Sequence, residues 1–214
     1  MNKYIEHTLL KPTATNEALE KLYAEAKEHN FRGVCVTPIN VKKAAEALKG
    51  TDVKVVTVVG FPLGAMISDA KAFEAKRAIE DGADEVDMVI NIQAVKNAEW
   101  DVVTEDIRTV KKACGETVLK VIIETDYLTK EEIVEACKCA IAAKADFVKT
   151  STGFVNGGVG AKAEDVKLMY ETVKDAGLRV KASGGIRDRQ AAEAMVAAGA
   201  SSLGTSSGIK IVEG

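Results

Sequence analysis

The sequence predicts an α/β protein, a single-domain (β/α)8 TIM barrel, on three observations. Eight short runs rich in Val and Ile alternate with longer amphipathic runs across 214 residues, and eight is the strand count that closes a barrel. The short runs are nearly continuously apolar, as strands covered on both faces are; "VVTVV" at 55–59 and "VIIE" at 121–124 are the clearest. The first run is followed by "LLKPTAT", without glycine, whereas an open doubly wound sheet would usually carry a glycine-rich dinucleotide loop there.

In chain order the pattern predicts strands at 5–9, 33–37, 53–60, 85–91, 119–124, 147–150, 179–183 and 202–205. Between them it predicts helices at 16–29, 41–48, 70–81, 100–113, 130–143, 163–175 and 189–198, with a last helical turn or two at 208–212. Thr129 before "KEE" is a cap-and-acid start for the helix at 130, and Gly177 after Ala176 is a stop signal. No Pro/Ser-rich linker breaks the chain, and Gly157–Gly160 reads as a loop, so residues 1–214 form one domain.

Hydrophobic residues make up 47% and charged residues 29%, and the formal net charge is −3. That balance offers neither nucleic acid nor an anionic membrane a complementary surface. No apolar run is long enough to span a bilayer, and "MNKYIEHTLL" lacks a signal-peptide core, so a cytoplasmic protein is expected. The four cysteines, Cys35, Cys114, Cys137 and Cys139, lack zinc-site spacing and read as reduced thiols. The two histidines, His7 and His29, sit in no metal-ligand motif, so no metal and no cofactor are expected.

In such barrels the C-terminal strand ends face the active site. The polar residues there are His7, Thr8, Cys35, Thr37, Gly60, Asp87, Asn91, Glu124, Thr125, Lys149, Lys181 and the small residues after them. Two lysines at the ends of neighbouring apolar strands are unusual, because lysine is almost never fully buried without a partner. Burial and a nearby like charge both lower a lysine pKa, and a neutral lysine attacks carbonyl carbons. On that reading one lysine forms a Schiff base and the other depresses it. The plainer reading is that both lysines reach solvent or pair with Asp87 and Glu124. The alternation in "DEVDMVIN" points Asp87 into the barrel, between the lysines, as proton shuttle or inert counter-ion. Cys35 either lines the cavity or is a buried, inert thiol.

"ASGGIR" (182–187) and "LGTSSG" (203–208) each place small residues after a strand and before a helix. Their N–H groups suit a phosphate, aided by the helix N-terminus, and phosphate sites in these barrels frequently follow strands seven and eight. Arg187 is a candidate cation beside them. Tight turns alone would also explain the glycines.

Seven stretches taken together resemble the deoxyribose-phosphate aldolase family: "HTLLKP" (7–12), "VVGFPLGA" (58–65), "EVDMVINI" (85–92), "KVIIET" (120–125), "ADFVKTSTGF" (145–154), "VKASGGIR" (180–187) and "GTSSG" (204–208). They span nearly the whole chain, in order. The resemblance implies a class I aldolase that reversibly cleaves 2-deoxy-D-ribose 5-phosphate to D-glyceraldehyde 3-phosphate and acetaldehyde without metal. It implies Lys149 as the Schiff-base lysine, Lys181 as the second lysine and Asp87 as the proton-relay acid. It also implies Gly153, Gly184, Gly185, Gly204, Ser206 and Ser207 as phosphate-holding residues, small phosphosugar and aldehyde partners, and a homodimer or larger homo-oligomer.

Four residues depart from the family pattern. Glu6 replaces an Asp near the site, and its extra methylene is expected to shift a supporting carboxylate. Thr37 stands where Asn is common. Gln93 and Lys144 stand where glycine is usual, with a stability cost wherever φ is positive. The competing functions are another Schiff-base phosphosugar aldolase, a transaldolase-like enzyme, a catalytically silent phosphosugar-binding barrel, and a metal-dependent aldolase, which the missing histidine cluster disfavours.

Overall fold

The apolar runs become strands and the amphipathic runs become helices, in the order β1 (Ile5–Leu9), α1 (Asn16–Glu28), β2 (Gly33–Val36), α2 (Val41–Ala47), β3 (Lys54–Val59), α3 (Ser68–Glu80), β4 (Glu85–Val89), α4 (Ile92–Lys96), α5 (Trp100–Cys114), β5 (Val118–Ile122), α6 (Lys130–Ala142), β6 (Phe147–Lys149), α7 (Ala163–Val173), β7 (Arg179–Ser183), α8 (Arg189–Ala197), β8 (Ala200–Thr205) and α9 (Gly208–Glu213). The computed structural model describes residues 1–214. All neighbouring strands pair in parallel and β8 closes on β1, so the sheet is the expected eight-stranded barrel. No helix is long and apolar enough to cross a membrane.

Period-two alternation divides the strand residues. Val55, Val59, Val86, Met88, Leu119, Val121, Val148 and Val180 join the core between barrel and helices. Each buried aliphatic side chain there stabilises by about 1.5–3 kcal/mol. Cys35, Val56 and Val58 turn the other way and form a small separate cluster with Leu10, against which Phe61 packs. Buried strand residues outside these clusters include the charged Glu6, Glu85, Asp87, Lys120, Lys149 and Lys181.

The start and stop signals act as read. Thr129 and Glu132 form a capping box on α6. Gly177, at φ 79°, ends the 3-10 turn Lys174–Ala176, which replaces the last residues expected of α7. One helix was not expected: α4 begins where the strand pattern seemed to continue. Asn91 stops β4 because its side chain accepts a hydrogen bond from the Ala94 N–H at 3.0 Å, a helix cap. Gln93 therefore has ordinary helical backbone, and the stability cost expected of it does not arise. The cost does arise at Lys144, whose φ is +60° just after α6. Thr37 accepts a hydrogen bond from Asn40 Nδ2 at 2.9 Å and so steadies the turn after β2.

Candidate active site

Parallel register brings the charged residues to one level of the barrel. Lys149 on β6 pairs with Lys181 on β7, Asp87 on β4 pairs with Lys120 on β5, and Ile122 pairs with Lys149. A register shift lets Val180 pair with Ala200 but Lys181 with Ser202, leaving Ser201 as an extra residue on β8. Lys181 faces the barrel by alternation after the outward Val180, and the bulge on β8 brings Ser202 into register beside it.

Asp87 lies between the two lysines. Its Oδ2 accepts from Lys149 Nζ at 2.7 Å and from Lys181 Nζ at 2.7 Å, and its Oδ1 accepts from Lys120 Nζ at 2.9 Å. Lys181 also donates to Glu6. Lys120 is 2.5 Å from Glu85, and Arg32 bridges Glu6 and Glu85 at 2.6 Å each. Lys120 and Arg32 hold the ring of ion pairs together, but neither was selected from the sequence. The signal was available for Lys120, a lysine inside the apolar run "VLKVII", the same anomaly that drew attention to Lys149 and Lys181.

The cluster holds four cations, Arg32, Lys120, Lys149 and Lys181, against three carboxylates, Glu6, Glu85 and Asp87. It becomes neutral when one cation gives up a proton. Of the four cations only Lys149 has a lowered pKa. Burial pulls its pKa down first, Asp87 pulls it up, and the charge of Lys181 pulls it down again, with a lowered net value. Lys181 is also pulled down by burial, but Asp87 and Glu6 outweigh this and its pKa is raised. Burial opposes ionisation of Asp87 too, yet Lys120, Lys149 and Lys181 together hold it well below the usual carboxylate range. Both causes expected from the sequence, burial and the charge of Lys181, act on Lys149, and burial is the larger.

Above this cluster opens a cavity of about 420 Å³ into which Lys149 projects. Asp87 and Lys181 are 0% exposed and lie beneath it, while Lys149 is 3% exposed and reaches its floor. Gly153, Gly184, Gly185, Gly204, Ser206 and Ser207 all line the cavity, so every residue expected to hold phosphate meets at one wall. Gly184 and Gly185 have φ of +83° and +75°, a conformation side chains resist, and it exposes their backbone to the cavity. Arg187 and Lys11 add two cations. Lys11, in the loop after β1, was missed because nothing in "LLKPTAT" marks it as facing the site.

Three strand-end residues do other work. The His7 ring leaves the barrel, sits 2.8 Å from Glu25 of α1 and packs edge-on to Phe31. Asn91 caps α4. Glu124 pairs with neither lysine; it accepts hydrogen bonds from the Thr152 N–H at 3.2 Å and from the Thr152 hydroxyl. Burial raises the Glu124 pKa against those bonds. Cys35 is buried, and burial pushes its thiol pKa up. Glu6 spans Arg32 and Lys181, so its added methylene keeps the carboxylate in direct contact with the cluster.

Residues 3–214 match the model of the DeoC/LacD family aldolases. The chain is 56% identical over 214 residues to the deoxyribose-phosphate aldolase of Brevibacillus brevis, covering 100% of this chain and 96% of that one. It is 57% identical over 215 residues to the deoxyribose-phosphate aldolase of Streptococcus gordonii, with 100% and 96% covered. The tetrameric deoxyribose phosphate aldolase of Aeropyrum pernix superposes with a TM-score of 0.88 at 34% identity, over 99% of this chain and 89% of that one.

Proposed function

Because the chain belongs to the DeoC/LacD aldolase family, we propose that it reversibly cleaves 2-deoxy-D-ribose 5-phosphate to D-glyceraldehyde 3-phosphate and acetaldehyde through a Schiff base on Lys149. The observation that carries this reading is the charge balance around Asp87, which leaves Lys149, the lysine at the cavity floor, as the cation to lose a proton.

Neutral Lys149 Nζ attacks the C1 aldehyde of the open-chain sugar. The carbinolamine loses water to give an iminium, which draws electrons from the neighbouring bond. The C3 hydroxyl passes its proton through a water to the Asp87–Lys181 pair, the C2–C3 bond breaks, and its electron pair forms an enamine of C1 and C2. Glyceraldehyde 3-phosphate leaves with C3, C4 and C5. A break at C3–C4 would instead release a two-carbon phosphate, so the products require C2–C3. Protonation of the enamine at C2 and hydrolysis of the iminium release acetaldehyde and restore the amine. Asp87 contacts both Nζ atoms, so protons pass between Lys149 and Lys181 without leaving the cluster.

The phosphate binds at Gly184, Gly185, Gly204, Ser206 and Ser207 with Gly153 beside Gly184, and Arg187 and Lys11 supply positive charge. Binding there, remote from the breaking bond, is used in the transition state. Four buried free thiols fit a reducing cytoplasm. The tetrameric Aeropyrum pernix relative supports a homo-oligomer.

The test is borohydride reduction in the presence of acetaldehyde, followed by peptide mass mapping. An N-ethyl group on Lys149 is expected. An adduct on Lys181 would reverse the lysine roles, and no adduct on folded protein would favour a silent phosphosugar-binding barrel.

A further inference from the structure

The phosphate wall is supported from behind by a residue that does not line the cavity. After β5 the chain makes the 3-10 turn Thr125–Tyr127, anchored to the barrel end by the Thr125 N–H, which donates to the Thr150 carbonyl at 2.9 Å. From this turn the Asp126 carboxylate crosses to the β6–α7 loop. Oδ2 accepts from the Gly160 N–H at 2.8 Å and Oδ1 from the Val159 N–H at 3.3 Å. The loop is shaped to admit it: a Cβ on Gly158 would lie 2.7 Å from Oδ2.

The held segment presses directly on the phosphate glycines. A Cβ on Gly160 would meet the Gly184 carbonyl carbon at 2.5 Å, and a Cβ on Gly185 would meet the Val159 carbonyl oxygen at 2.3 Å. The next residue, Ala161, donates its N–H to the Gly184 carbonyl at 3.0 Å. One carboxylate therefore fixes two backbone amides of the segment against which Gly184 and Gly185 are packed. Both glycines have positive φ, a conformation that glycine also leaves easily, so their N–H directions depend on an outside support.

We propose that Asp126 is a positioning residue for phosphate recognition: it holds residues 159–160 against Gly184–Gly185 and so keeps the phosphate-binding amides aimed into the cavity. It thereby sets the enzyme's preference for phosphorylated over unphosphorylated sugar without touching either. This rests on the phosphate site proposed above.

The test compares wild type, Asp126→Asn and Asp126→Ala on 2-deoxyribose 5-phosphate and on unphosphorylated 2-deoxyribose. Loss of bonds to a charged acceptor is expected to raise KM for the phosphorylated sugar about tenfold in D126A and less in D126N. The kcat/KM for 2-deoxyribose and the rate of borohydride trapping with acetaldehyde stay at wild-type values, because the lysine cluster is untouched. Equal losses on both sugars, as a merely structural role would give, overturn the inference, and so does an unchanged KM. Should D126A fail to fold, D126N carries the same comparison. A wild type with no preference for the phosphorylated sugar overturns the phosphate site itself, a result distinct from a wild type that prefers phosphate and variants that keep the preference.

Discussion

Replacing Lys120 with Met tests the charge balance on which the proposed role of Lys149 rests. Lys120 is buried and never reaches the cavity, and it shares Asp87 with Lys149, one ammonium on each carboxylate oxygen. Two ammonium groups so placed are roughly 6 Å apart, and at an effective dielectric near 20 they repel by roughly 3 kcal/mol. Partial relaxation reduces this, and loss of Lys120 is expected to raise the Lys149 pKa. The direction follows from charge: with one cation gone, the cluster is neutral only while Lys149 stays protonated. Glu85 keeps Arg32, and Asp87 keeps Lys149 and Lys181, so no buried carboxylate is stranded and the variant folds. The assay is kcat/KM for 2-deoxyribose 5-phosphate against pH. Its acid limb reports the free enzyme's essential base and is expected to move to higher pH. At neutral pH the rate falls about 10- to 100-fold, then recovers as the pH rises. A loss of the same size at every pH would refute the reasoning, as would an unmoved acid limb.

Two further outcomes concern stability. Burial opposes ionisation of Glu85, but Lys120 and Arg32 lower its pKa from 4.5 to about 2. Its contribution is therefore complete above the unfolded value and is lost as pH falls through the folded one, roughly 3 kcal/mol in all. Urea unfolding between about pH 5 and about pH 2 should show a shallower decline in Glu85→Gln than in wild type, and parallel curves would exclude this role. Lys144 is exposed and has φ +60°, so Lys144→Gly should relieve about 1 kcal/mol of backbone strain, net of glycine's entropy. Calorimetry should show Tm rising by about 2–4 °C, and a lower Tm would mean that the lysine side chain contributes more than its backbone costs.

Much of this was legible in the residues. Strand and helix patterning depends on local periodicity, so "VVTVV" and "VIIE" announced covered strands, and eight such units announced a closed barrel. The lysines at 149 and 181 stood out because an ammonium group in an apolar run costs free energy unless something compensates it. Asp87 followed from period two alone. The glycines at 184 and 185 lay where the chain order of a barrel puts a phosphate site. The helix at Ile92–Lys96 was less visible, because "VINI" continues a strand pattern and only the Asn91 cap ends it.

Tertiary structure decided which charge sits beside which. Arg32, Glu6, Glu85 and Lys120 come from four different strands or their flanks, and only barrel closure and register bring them within ion-pair distance of one another. Alternation after the inward Glu6 sends His7 outward, and tertiary packing gives it Glu25 and gives Glu124 Thr152, though both occupy strand ends as conspicuous as that of Lys149. Asp126 acquired its place behind the phosphate glycines through two loops that meet only in three dimensions. The sequence by itself determined the barrel and named two of its buried lysines, Lys149 and Lys181, because patterning and burial cost are properties of each segment. It left open which charges meet and what packs behind Gly184 and Gly185, because electrostatic energy and loop support depend on distances between segments far apart in the chain.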